Sequence, residues 1–151
     1  MIRRVTGSDL LQVINLTKKF WEESITQTLF GEFDALYYQR MLIQLMNTNS
    51  IVGWASFSSS TMQSVLLASE DTLLWKNVKI LKEIMWYTDP KFRGSPSSFK
   101  LLKKMEEYAK ENKFQGISMG RIHGVPNHER LNQFYLKNSF RPMEESYIKK
   151  L

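Results

Sequence analysis

One stretch, Ile80 to Asn112, restricts the fold more than any other. Its opening run, Ile80 to Thr88, is rich in branched and aromatic side chains and stops at Asp89-Pro90. Such a run reads as a strand, because these side chains pack well on a pleated surface and Asp-Pro ends it. Turn residues follow from Asp89 to Ser98. Phe99, Leu102, Met105 and Ala109 then recur at helical spacing, with Leu101 and Tyr108 widening the apolar stripe. Lys100, Lys103, Lys104 and Lys110 fall mostly on the other side. The predicted unit is a strand, a tight turn and a helix that starts near Phe99 and closes at Asn112-Lys113.

A turn of small residues that opens a helix leaves backbone N–H groups without intrahelical acceptors. With the helix dipole they form an anion site, and a phosphate-bearing ligand is its natural occupant. Pro96 has no N–H and withdraws one donor, although proline is tolerated in a first helical turn. The hydroxyls of Ser95, Ser97 and Ser98 are placed to replace part of that capacity.

At 151 residues the chain is long enough for one sizeable core, and 1–151 reads as a single domain. A hydrophobic content of 42% excludes a disordered chain. Cysteine is absent, which removes disulfides, thiol nucleophiles and thiolate metal sites and fits a reducing cytoplasm. No apolar run has signal-peptide or membrane-span length, so a cytoplasmic protein without a membrane partner is expected. The net charge of +6 raises the question of nucleic acid. The lysines are spread along helices and at the C-terminus rather than in a dense block, so nucleic acid is the weaker reading. His123, His128 and the carboxylates have no metal-ligand spacing.

Taken in order, Ile2 to Val5 reads as a first strand. Ser8 is the expected cap of a helix carrying Leu10, Val13, Ile14, Thr17, Phe20 and Trp21. Ile25 to Gly31 reads as a connector, and a second helix runs roughly from Phe33 to Asn47. Strands are expected at Ile51 to Phe57 and Met62 to Ala68, with a loop from Ser69 to Val78. Gly116 to Met119 reads as a short strand and Gly120 to Pro126 as a loop holding His123. Asn127 or His128 opens the last helix, and Phe140 to Leu151 returns as a terminal strand. Alternating strands and helices point to a three-layer α/β domain with a mixed sheet.

Asp89-Pro90-x-x-Arg93-Gly94 before a helix, with Phe134-Tyr135-Leu136-Lys137-Asn138-Ser139-Phe140 further on, resembles the GCN5-related N-acetyltransferase (GNAT) family. The resemblance follows most of the chain in order. Trp86-Tyr87, Arg93-Gly94-Ser95 and Tyr147-Ile148-Lys149 resemble short members encoded by tailed bacteriophages. The resemblance implies a mixed, mostly antiparallel sheet of six or seven strands flanked by about four helices. It implies transfer of an acetyl group from acetyl-CoA to a primary amine: a small molecule, a peptide N-terminus or a lysine. A non-catalytic module on the same fold is the alternative, and a homodimer is left open.

Residue by residue, the resemblance places the pyrophosphate of acetyl-CoA on Arg93, Gly94, Ser95, Ser97 and Ser98. Pro96 and Ser98 stand where the family has glycines. The main chain of Met85, Trp86, Tyr87 and Thr88 is implied to pair with the pantetheine arm, one amide polarising the thioester carbonyl. Tyr135 is the implied general acid for the departing thiolate. Glu83 is the implied base; an ionisable side chain within an apolar strand also needs a partner or a task on its own account. His128 falls where the family has an asparagine, and Asn127 supplies that contact with a shift of one residue. Ser139 replaces the family's glycine before Phe140, which assigns the left-handed cap to Asn138. Glu22, Glu23, Phe30, Glu32 and Tyr38 are the implied acceptor contacts.

Overall fold

The computed structural model describes residues 1–126 and 128–151. They form two compact units, Met1–Lys19 with Asp34–Gly120, and Phe20–Phe33 with Arg121–Leu151. The strands are β1 (Ile2–Arg4), β2 (Val52–Ser58), β3 (Thr61–Thr72), β4 (Lys79–Thr88) and β5 (Gly116–Ser118). The helices are α1 (Leu10–Glu23), α2 (Ile25–Phe30), α3 (Ala35–Asn47), α4 (Ser97–Glu111) and α5 (His128–Lys137). No helix among the described residues is long and apolar enough to cross a membrane.

The first unit holds one sheet in the order β1-β2-β3-β4-β5. The pairs from β1 to β4 are antiparallel and β4 pairs with β5 in parallel, so the sheet is mixed and mostly antiparallel. β2 and the middle of β3 are buried almost without a break, the mark of strands covered on both faces. On one face Trp54, Leu66, Ala68 and Leu81 pack against Leu101, Met105 and Ala109 of α4. Val13 and Leu16 of α1 and Leu42 of α3 are also buried, and they supply a second helical layer.

The strand-turn-helix unit forms where the sequence places it. The boundaries move by one or two residues, to Lys79 and to Ser97. Three expectations are corrected. The sheet has five strands rather than six or seven. The segment 141–151 is exposed throughout and joins no sheet. Its apolar residues, Met143, Tyr147 and Ile148, do not keep to one parity, so a single strand face would not hold them all. Ile25–Phe30 is a short helix instead of a connector. It is closed by Gly31 at φ 85°, a left-handed angle that suits glycine, and the Gly31 N–H donates to the Gln27 carbonyl at 2.8 Å.

β3 also runs past the predicted Ala68, to Thr72. Glu70 and Asp71 stay in the strand because they pair across it, with Lys79 at 3.4 Å and Lys82 at 3.7 Å. At the start of α1, Asp9 rather than Ser8 organises the cap. Its carboxylate accepts the Thr6 N–H at 2.8 Å and a two-pronged contact from Arg3. The Arg3 hydrogen bonds lead in holding Asp9 down at about 2.

Candidate active site

β4 carries the site of the first unit. Its ladder with β5 covers Ile80, Leu81 and Lys82 alone, and β4 then runs on from Glu83 to Thr88 beyond the end of that pairing. On its other side the register passes from Ala68↔Glu83 to Leu67↔Met85. Ile84 is therefore an extra residue, a β-bulge that re-aims the main chain after it.

Glu83 stands where β5 departs. Gly120 N–H donates to its Oε2 at 2.9 Å, and the Trp86 main-chain N–H donates to the same carboxyl group. A Cβ added at Gly120 would lie 3.2 Å from that oxygen, so the close approach suits glycine. Glu83 keeps partial exposure at its edge, yet the chain around it is dense. Desolvation pushes the carboxyl up to about 7 against the pull of the two amides and Lys82. A carboxyl poised there exchanges protons readily at neutral pH.

Met85 and Tyr87 are buried in the sheet. Trp86 packs edge-on against Phe99 at the start of α4, with centroids 6.0 Å apart. Thr88 O accepts from Arg93 Nε at 3.2 Å, and the Arg93 guanidinium lies 5.3 Å from the Tyr87 ring centroid. Arg93 therefore folds back onto the end of β4.

The turn begins at Asp89, which caps a 3-10 turn over Pro90–Phe92 by accepting the Lys91 N–H at 3.0 Å. Gly94 has φ 90° and open space where a Cβ would stand. Helix geometry leaves the first-turn amides of α4 without intrahelical acceptors. Pro96 has no N–H to offer, and the Ser97 N–H donates to the Ser95 hydroxyl at 3.3 Å. The Ser95 and Ser97 hydroxyls bond each other at 2.9 Å. The donor set for an anion is thus the Gly94 and Ser98 amides, the Ser98 hydroxyl and, once an anion competes with their mutual contact, Ser95 and Ser97. That set fits a phosphate group with fewer main-chain donors than a glycine-rich turn provides.

The second unit holds Tyr135 and His128. Tyr135 is 8% exposed, its ring 6.0 Å from that of Phe134 and 5.3 Å from that of Phe140. α5 ends in a left-handed residue, but Ser139 at φ 67° provides it, not Asn138. Phe140 N–H closes back to Tyr135 O at 3.1 Å, and the Asn138 side chain donates to Phe134 O at 2.8 Å instead. Asparagine side chains bond helix-end carbonyls readily, which leaves the next residue to make the turn.

The His128 ring stacks on His123 at 4.4 Å, and Arg121 Nη1 lies 3.3 Å from its Nδ1. A guanidinium only donates, so Nδ1 accepts and Nε2 carries the hydrogen. Burial first, then Arg121 and His123, hold His128 below its ordinary range. Asn127 lies outside the described residues. The His123 carbonyl accepts the Ile25 N–H at 3.1 Å, so its loop anchors the start of α2. Tyr38, in the first unit, takes a hydrogen bond from Thr17 at 3.1 Å. The sequence reading missed Gly120 and Lys19. Gly120 carried no signal beyond being a glycine after a strand, and Lys19 was one lysine among many.

No protein-family model matches the sequence, and no curated protein matches it. Solved structures do. A transcriptional regulator from Bacillus halodurans C-125 superposes with TM-score 0.79 at 16% identity, covering 100% of this chain and 99% of its own. A ribosomal-protein-alanine N-acetyltransferase from Brucella melitensis biovar Abortus 2308 gives 0.75 at 12% identity, over 100% and 99%. A predicted acetyltransferase from Clostridium acetobutylicum, solved with acetyl-CoA, gives 0.75 at 16% identity, over 99% and 94%. At these identities the likeness is one of fold, and the fold is that of the GNAT acetyltransferases.

Proposed function

We propose that residues 1–151 form one acetyl-CoA-dependent N-acetyltransferase domain. The observation that carries the reading is β4 running on past β5, bulged at Ile84, into a turn whose Gly94 opens toward the start of α4. Met85 to Thr88 offer main chain to the pantetheine arm. Gly94, Ser95, Ser97 and Ser98, with Arg93 beside them, hold the pyrophosphate, and the His128 Nε2–H or Asn127 supplies a further contact. Acetyl-CoA brings the thioester.

In the proposed reaction a primary amine attacks the acetyl carbon. A C–N bond forms and the C–S bond breaks. The amine's surplus proton passes to Glu83, directly or through water, and Tyr135 gives its phenolic proton to the leaving thiolate. The absence of cysteine supports a cytoplasmic setting. A second reading, a non-catalytic binding module on the same fold, is favoured by Pro96 and by the Ser95–Ser97 contact, which withdraw donors from the turn.

Calorimetric titration with acetyl-CoA tests the reading, with plain duplex DNA as the comparison. Micromolar acetyl-CoA binding and weak, salt-sensitive DNA binding are expected. No acetyl-CoA binding retires the enzyme reading.

A pH profile tests Glu83. Its carboxyl, raised to about 7, is mostly protonated at pH 6 and mostly ionised at pH 8. Glu83→Gln is therefore expected to lose least at pH 6 and most at pH 8, by about a hundredfold where a base is needed. The linkage runs the other way for stability. A carboxyl raised in the folded state makes stability fall as pH rises from the ordinary carboxylate range through 7. The Gln variant should lose that slope in thermal melts. A wild-type to variant rate ratio that stays flat from pH 6 to 8 removes Glu83 as the base.

A further inference from the structure

Asp89 ties three elements at the point where β4 becomes the turn. Its N–H donates to Gln63 O on β3 at 2.9 Å, and its carbonyl accepts the Phe92 N–H at 2.8 Å. Its Oδ1 accepts the Lys91 N–H at 3.0 Å, and its Oδ2 takes the ammonium of Lys19 on α1. The Asp89 side chain is 11% exposed and that of Lys19 is 44% exposed, so the carboxylate is the enclosed partner and the lysine reaches in from the surface. Burial would raise the Asp89 carboxyl, but Lys19 and the Lys91 amide outweigh it and hold it below its usual range.

We propose that Lys19 is a positioning residue for the acyl donor's pyrophosphate, acting through Asp89 on the turn that leads to Gly94. The proposal rests on the acetyltransferase reading above. Lys19 does two things at once. It fixes the residue from which the turn departs, and it neutralises a carboxylate that would otherwise face an incoming polyanion. Without it, an enclosed negative charge is left uncompensated beside the turn. The penalty then falls on the phosphate end of the donor and not on the thioester end, which meets β4 main chain.

Calorimetry with two donors separates this role from a general structural one: acetyl-CoA, and S-acetylpantetheine, which lacks the pyrophosphate. Lys19→Met is expected to weaken acetyl-CoA binding about tenfold, the loss of one charge-assisted contact. It should leave S-acetylpantetheine binding unchanged, and Lys19→Arg should restore most of the loss. Lys19→Gln, which keeps an amide donor for Asp89 Oδ2 but not the charge, provides a second variant should Lys19→Met not fold, with the same donor-selective loss expected. Equal losses for both donors, or normal acetyl-CoA binding in Lys19→Met, overturn the proposal. Failure of the acetyltransferase reading shows separately, as absent acetyl-CoA binding in the wild type, and it takes this proposal with it.

Discussion

Gly94→Trp is expected to abolish acetyl-CoA binding while the protein keeps its fold. Gly94 sits at φ 90°, where a side chain of the natural hand is strained by about 1–2 kcal/mol. The residue is exposed and nothing stands within 4 Å of its would-be Cβ, so the indole meets no core atom. A modest fall in melting temperature is the whole folding effect expected. Binding is another matter. In the proposed site the space beside Gly94 is the approach of a phosphate to the amides at the start of α4, and the indole would fill it. Pro96 and the Ser95–Ser97 contact leave few other donors, so the turn has little redundancy. A loss of at least about a hundredfold in affinity is expected by calorimetry, near 3 kcal/mol. Wild-type affinity in this variant would remove the turn from the account of the site.

Tyr135→Phe should lower kcat about a hundredfold, the usual contribution of a positioned general acid, with acetyl-CoA affinity within about twofold of wild type. The substitution removes one oxygen and keeps the ring between Phe134 and Phe140, so the buried packing of α5 persists. A thermal melt checks that point, and steady-state kinetics with an amine found by acceptor screening reads the chemistry. An acid that acts only on the departing thiolate affects kcat and kcat/KM together. Unchanged turnover would leave Tyr135 as a core aromatic and nothing more.

Much of the fold was legible because its signals are local. Asp89-Pro90 stops β4 and the serines with Pro96 start α4, so both ends of the central unit were readable within two residues. The left-handed helix ends were not read: Ser139 rather than Asn138 closes α5, and Gly31 closes a short helix where a connector was expected. The terminal strand was misread because a strand needs a neighbour to pair with, and residues 141–151 find none among the described residues. The extra length of β3 was missed for a related reason. Glu70 and Asp71 look like loop residues until they are set opposite Leu81 and Ile80 of β4, with Lys79 and Lys82 diagonally in reach.

The site divides the same way. That Glu83 needed a partner or a task was visible in the strand pattern. That the partner is the Gly120 amide, 37 residues away, was not. Nor was the contact from Lys19 to Asp89, which spans 70 residues. The sequence by itself determined the strand-turn-helix unit of β4 and α4, the turn residues around Gly94 and the residue types available for proton transfer, because these depend on backbone preferences within a few positions. Only the tertiary structure decided which carboxyl was desolvated, which amides were already taken and which lysine found an enclosed partner. Desolvation and pairing are set by whatever atoms the fold brings within a few ångströms, and no local pattern encodes those neighbours.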